Sequence, residues 1–225
     1  MFNNFKVTAY MSSPIAVTDF IILDSVIAAA IAKKINGDEY YSGENIYGSK
    51  EEVNKYLSKV LNKKYEVYCT SIGLGKNKEY MSSWCKRWDD WHDDIVRFKG
   101  RGRHRVDIGS GFFKSYHMPL VLKTYPEIVF YVRGDLNKIK SLLENYIFYL
   151  GKKSSQGYGQ VRKWEFETIE EDWSIWKDGK PMRPIPGLRC EEYIKKSKDI
   201  NIQEYATIPP YWRQDNRVLC VMPDV

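Results

Sequence analysis

Between residues 127 and 169 the hydrophobic period changes twice, and this constrains the fold more than any other feature of the chain. Residues 128–132, IVFYV, form a short apolar run suited to a buried strand. Arg133, Gly134 and Asp135 make a turn, with Asp135 placed to cap a following helix. In that helix Ile139, Leu142, Leu143, Tyr146 and Ile147 fall at i, i+3, i+4, i+7 and i+8, an apolar stripe along one side. Residues 160–169 then alternate as a strand. A striped helix between two strands buries its stripe against the sheet those strands belong to.

The N-terminal part carries a matching order. Phe5, Val7, Ala9 and Met11 alternate with Lys6, Thr8 and Tyr10, and Ser12, Ser13 and Pro14 end the strand. Residues 23–35 are an alanine-rich apolar helix, with Asp24 or Ser25 as N-cap and Asn36-Gly37 as its stop. A second helical stretch covers 51–61, and 65–72 turns strand-like. The order strand, helix, strands, strand, helix, strand is the split βαβ arrangement, so the predicted class is α+β with a ferredoxin-like, RRM-like core. One unit spanning 1–225 is expected, with its core at about 5–75 and 118–170, a basic insertion at about 76–117 and a C-terminal extension at about 171–225.

A net charge of +6 and 15% aromatic residues, with 17 Tyr and 7 Trp, suit a polyanionic partner. The apolar window 15–32 is interrupted by Asp19 and Asp24 and followed by Lys33 and Lys34, so it reads as a core helix and no membrane partner is expected. Residues 1–13 lack a basic flank leading into an apolar run, so no secretory leader is expected. Cys69, Cys85, Cys190 and Cys220 are scattered without a CxxC pair. That points to reduced thiols in a cytoplasmic protein, with neither a metal nor a cofactor.

Between the striped helix and the last core strand lies GKKSSQGYGQV, residues 151–161. Gly157 and Gly159 flank Tyr158 where a helix gives way to a sheet, so positive φ angles and close backbone approach are available. With Lys152 and Lys153 the loop can present N–H groups and cations to a phosphate. The plainer reading is a helix C-cap with Gly151 as the stop and lysines where the helix dipole favours them. It is not a nucleotide P-loop, because no Gly-Lys-Ser/Thr opens a following helix.

Residues 76–118 have poor periodicity and no clear core pattern. Trp84, Trp88 and Trp91 would form one aromatic stripe on a helix, a pattern more often buried than used for stacking. In RFKGRGRHRVD, Arg97, Lys99, Arg101, Arg103 and Arg105 alternate with small or polar residues, and an extended run of this kind can follow a sugar-phosphate backbone. The plainer reading is a solvated loop. GSGFFKSYHMP interleaves Phe112, Phe113 and Tyr116 with Lys114, suited to splayed bases, although one of Phe112 and Phe113 must face inward if the segment is extended. Lys114 is the favoured ligand there. KDGKPMRPIP reads as a turn at Asp178-Gly179 and then an extended stretch stapling the C-terminal region across the domain. Beyond residue 208 an apolar VLCVMP run adds an edge strand or docks on a partner.

The helix, glycine loop and strand resemble the RAMP superfamily of CRISPR-associated proteins. ILDSVIAAAIA after the first strand, GSGFFKSYHMPL, IVFYVRGDLNKIKSLL and PMRPIP narrow the resemblance to the type IV effector subunits that hold the five-prime handle of the guide RNA. It runs from about residue 5 to about residue 190. The resemblance implies a non-catalytic subunit capping the guide RNA beside a repeating backbone RAMP subunit and a large effector subunit. The insertion would be its thumb-like extension, and Gly151, Lys152, Lys153, Gly157, Tyr158 and Gly159 its RNA-contacting loop. That loop is poorer in arginine than is common in the superfamily. Some RAMP relatives cut repeat RNA without metal, so the alternative is an endoribonuclease using His104 and His117.

Overall fold

Alternating burial along Asn3–Met11, with Phe5, Val7 and Ala9 fully enclosed, makes this strand the centre of the fold. The structure, a computed structural model, describes residues 2–37, 40, 50–89, 92, 105–196, 200–211 and 213–224. In chain order the first elements are β1 (Asn3–Met11), β2 (Ile15–Ala16), α1 (Leu23–Asn36), α2 (Lys50–Val60), β3 (Lys63–Lys64) and β4 (Val67–Tyr68). Then come β5 (Lys78–Lys86), β6 (Tyr116–Thr124), β7 (Glu127–Gly134), α3 (Leu136–Tyr146) and β8 (Val161–Thr168). The C-terminal part holds β9 (Trp176–Lys177), β10 (Lys180–Pro181), β11 (Ile185–Pro186), α4 (Glu191–Lys196), β12 (Ile202–Ala206) and β13 (Arg217–Val221).

The molecule is of mixed α+β class with antiparallel sheets. β1 pairs antiparallel with β7, from Asn3 opposite Gly134 to Tyr10 opposite Glu127, and on its other side with β8, where Phe5 faces Thr168. Beyond β7 the sheet continues through bridges from Thr70 to Val132 and from Leu74 to Val129. The spatial order is therefore 70–74, β7, β1, β8. Phe5, Val7, Ala9, Phe130, Val132 and Trp164 share one core with Ile27 and Ile31 of α1, Leu57 and Val60 of α2, and Ile139, Leu142 and Leu143 of α3. Each large aliphatic side chain enclosed there contributes about 1.5–3 kcal/mol.

The helix ends follow local chemistry. Asp135 caps α3, its Oδ1 accepting from the Lys138 N–H at 3.1 Å, as its position predicts. Gly37, at φ 53°, closes α1. Neither Asp24 nor Ser25 caps α1. The cap position is Ile22, the Ser25 hydroxyl donates to the Ile22 carbonyl at 2.7 Å, and Asp24 is drawn into the interior.

The central segment departs from its sequence reading. β5 and β6 form a long antiparallel hairpin, from Lys78 opposite Thr124 to Lys86 opposite Tyr116. Trp84 therefore lies on a strand, not on a helical stripe with Trp88, and Trp91 falls outside the described residues. Most side chains on both faces of β5 are exposed or half-buried, so the hairpin never produced an apolar alternation that sequence could reveal.

In the C-terminal part Asp178 and Gly179, at φ 50° and 74°, make the two-residue turn joining β9 to β10. The VLCVMP run is not an edge: β13 is the middle strand between β11 and β12, with Cys220 and Val221 buried. Arg183 is fully enclosed. Its Nη1 donates to Asp24 Oδ2 at 3.0 Å, to Thr70 Oγ1 at 3.1 Å and to the Tyr68 carbonyl, while Nη2 donates to the Thr207 carbonyl at 3.1 Å and to the Tyr211 hydroxyl at 2.9 Å. The Tyr211 hydroxyl in turn donates to Asp24 at 2.7 Å. All four cysteines are free, with only Cys85 exposed. Among the described residues no helix is long and apolar enough to cross a membrane.

Candidate nucleic-acid interface

Residues 147–161 follow α3 and lead into β8, and four of them hold left-handed backbone. These are Gly151 (φ 83°), Lys153 (63°), Gly157 (84°) and Gly159 (76°). At Gly159 glycine is obligatory, since a Cβ there would stand 1.8 Å from the Leu150 carbonyl oxygen. Gly151 is not the helix stop. α3 ends at Tyr146, and the Ile147 N–H closes it onto the Leu143 carbonyl at 3.1 Å.

The segment leaving β1 staples this loop. The Gly159 N–H donates to the Pro14 carbonyl at 2.7 Å and the Lys152 N–H to the Ala16 carbonyl at 2.9 Å. The Ser13 hydroxyl donates to the Gly157 carbonyl at 2.7 Å and accepts from the Gln160 N–H at 2.8 Å. The Gln156 and Gly157 N–H groups close the short turn Ser154–Gln156 on itself. Much of the loop backbone is thus satisfied internally, and what it offers outward is mainly side chains: Lys152, Ser154 and Ser155 are exposed and Tyr158 half-buried.

β2 joins the loop to the hairpin. Ala16, whose carbonyl holds Lys152, pairs with Leu122 of β6. Above this junction the Lys153 ammonium sits 3.1 Å from the centre of the Trp84 ring. A cation over a tryptophan face contributes about 0.5–2 kcal/mol, more as water is excluded. Trp84 meets Tyr116 edge-on at 5.2 Å. The Lys86 ammonium lies 4.9 Å from the Phe112 ring and 5.9 Å from that of Tyr116, and donates to the Phe112 carbonyl at 2.6 Å. Phe112, 82% exposed, leans on Phe113, which packs against Trp88. The segment here is a turn, closed by the Lys114 N–H on the Gly111 carbonyl at 3.2 Å, which lets Phe112 point outward while Phe113 tucks in. Lys114 is exposed beside them and Arg105 is exposed just before this turn. Rings and cations therefore alternate from the glycine loop to the hairpin end, an arrangement able to stack bases and neutralise phosphates together.

Arg97, Lys99, Arg101, Arg103 and His104 lie outside the described residues. His117 is exposed on β6, opposite Cys85. His92 lies 5.4 Å from the Trp88 ring. Sequence reasoning missed Trp84, Lys86 and Ser13 as members of this surface. Only the register of β5 on β6 brings the first two to it, and only the return of the chain at residue 157 engages Ser13.

The other face of the main sheet carries paired charges. Lys6 is paired with Glu167, and the Tyr10 hydroxyl donates to Glu165 at 2.8 Å, a bond that pushes the Tyr10 phenol pKa up. Lys163 likewise lies beside Glu165 and Arg133 beside Asp172, so the cations of that face are matched by carboxylates, whereas the loop and hairpin end present Lys86, Lys114, Lys152 and Lys153.

A family model described as CRISPR type IV associated protein Csf3 matches residues 3–223 of the chain. No curated protein matches it.

Proposed function

Because the chain belongs to the Csf3 family of CRISPR type IV associated proteins, we propose that it is an RNA-binding subunit that caps the five-prime handle of a guide RNA. In this reading the interleaved strand–helix–strand units are a ferredoxin-like RAMP core, and the β5–β6 hairpin with the segment between its strands is the thumb-like extension. The subunit works in the cytoplasm, within a ribonucleoprotein beside a repeating backbone subunit and a large subunit. The observation that carries the proposal is the meeting of glycine loop and hairpin at Lys153 and Trp84, which makes one continuous run of cations and rings. Such a surface grips a single strand without needing base identity, and its affinity falls with salt in proportion to the phosphates neutralised.

The test incubates purified protein with end-labelled repeat RNA in EDTA across a salt series, scoring binding and cleavage in the same samples. The expected result is salt-dependent binding, intact RNA, and weaker binding in a Lys152→Ala/Lys153→Ala variant. A discrete cut abolished by His104→Ala or His117→Ala would make the protein a metal-independent processing nuclease instead. Absence of RNA binding at low salt would refute the proposal.

A further inference from the structure

The residues between α3 and the glycine loop also form one wall of a cleft of about 820 Å³, whose other wall is the face of α1 carrying Ser25, Ala29 and Lys33. These three positions are four apart and so lie along one side of the helix. The volume is in the range of small-ligand sites, roughly 300–1,000 Å³. Buried apolar side chains line part of it, and two adjacent rings stand exposed beside it, Phe148 at 56% and Tyr149 at 42%. Its polar side chains include the hydroxyls of Ser25, Ser154 and Ser155 and the phenols of Tyr40 and Tyr149, with the amine of Lys33. That amine donates to the Tyr146 carbonyl at 3.1 Å, and an ammonium has two further N–H bonds to give. Among the described residues that line the cleft there is no carboxylate.

We propose that this cleft holds one nucleobase, splayed out from an RNA strand whose backbone follows the glycine loop. The inference rests on the RNA-binding reading above and adds a place where a base is held. Ser154 and Ser155 belong both to the loop and to the cleft, so a nucleotide with its phosphate beside Lys152 has its base at the cleft mouth. A flat heteroaromatic ring with a polar edge matches the lining: ring faces for Phe148 and Tyr149, acceptors for Lys33 and the serines. An aliphatic side chain of a protein partner would instead offer no acceptor to the two remaining N–H bonds of Lys33 or to the Ser154 and Ser155 hydroxyls. Burial already pulls the Lys33 pKa down, so the cation gains from an acceptor placed beside it.

The test uses the full chain and a repeat RNA that it binds, prepared as a set with a single abasic nucleotide at each position in turn. With the unaltered protein, one abasic position should weaken binding roughly 5–150-fold, the range for losing one stacked base. Ala29→Phe, which fills the cleft from α1, and Phe148→Ala/Tyr149→Ala, which strips the other wall, should each weaken the intact RNA to a similar extent. Each should also erase the penalty at that one position. Lys152→Ala should weaken every RNA in the set alike and reduce the salt slope. An abasic profile unchanged in both cleft variants, or a profile with no distinguished position, overturns the base site while leaving RNA binding standing. Loss of a protein partner in the cleft variants with the profile unchanged assigns the cleft to that partner and likewise overturns it. No binding of any RNA overturns both readings.

Discussion

Replacing Arg183 by methionine tests whether one buried cation ties residues 183 and 207–211 to α1 and to residues 68–70. The guanidinium is fully enclosed and joins α1 through Asp24, residues 68–70 through Tyr68 and Thr70, and residues 207–211 through Thr207 and Tyr211. Methionine keeps most of the volume but leaves the Asp24 carboxylate enclosed without its cation. Breaking one half of a buried pair costs about 3–5 kcal/mol, a large part of a total stability of roughly 5–15 kcal/mol. For a chain of this size that lowers Tm by roughly 6–20 °C. Urea unfolding followed by tryptophan fluorescence measures the loss, and Arg183→Met/Asp24→Leu, which removes both charges, should lose less than Arg183→Met alone. The pH dependence has a definite sign. Burial pushes the Asp24 carboxyl up, and Arg183 and the Tyr211 hydrogen bond pull it back down. Without Arg183 the folded-state pKa rises further above the unfolded value, so the deficit is greatest at neutral pH and shrinks as pH falls toward about 4. A loss under about 1 kcal/mol, or a double variant as unstable as the two single losses added, would refute the reasoning.

Three other outcomes follow from the structure. Gly157→Ala meets open space and should cost only the left-handed penalty of about 1–2 kcal/mol, whereas Gly159→Ala must displace the Leu150 carbonyl and should abolish RNA binding, as a filter-binding titration would show. Hydrogen bonding from Lys138 holds the Asp135 carboxyl below its ordinary value, so its contribution is present above about pH 4 and is lost as pH falls through the lowered folded value. Melts of the wild type between pH 3 and 7 should show this loss, and Asp135→Asn, which keeps the cap but cannot titrate, should flatten it. A disulfide-exchange reagent at pH 8 should modify Cys85 alone in the folded protein and all four cysteines in urea, because burial pushes Cys69, Cys190 and Cys220 up to about 11.

The elements of the main sheet and its helices were legible because each buries one face. The stripe Ile139, Leu142, Leu143 and the alternation along 5–11 are direct images of that burial. The positive φ angles at Gly157 and Gly159 were legible for a similar reason, since glycine is the residue that tolerates them. The hairpin was not, because exposure on both faces leaves strands without an alternating signature. Arg183 and Asp24 were hidden by distance. They are 159 positions apart, and alone Asp24 reads as a helix N-cap and Arg183 as part of an extended staple. Within the candidate interface, sequence marked the glycine loop and Lys114, but the pairing of Lys153 with Trp84 depends on a fold contact that no local pattern announces.

The central place of β1 also bears on how the protein is made. Both neighbours of this strand lie far downstream: β1 is complete at residue 11, β7 at 134 and β8 only at 168. At a synthesis rate of about 5–20 residues per second, β1 waits on the order of 10–30 s with at least one edge unpaired. Through that interval a hydrophobic strand is open to neighbouring nascent chains or to a chaperone, so the yield of native protein should respond to translation speed and holdase supply.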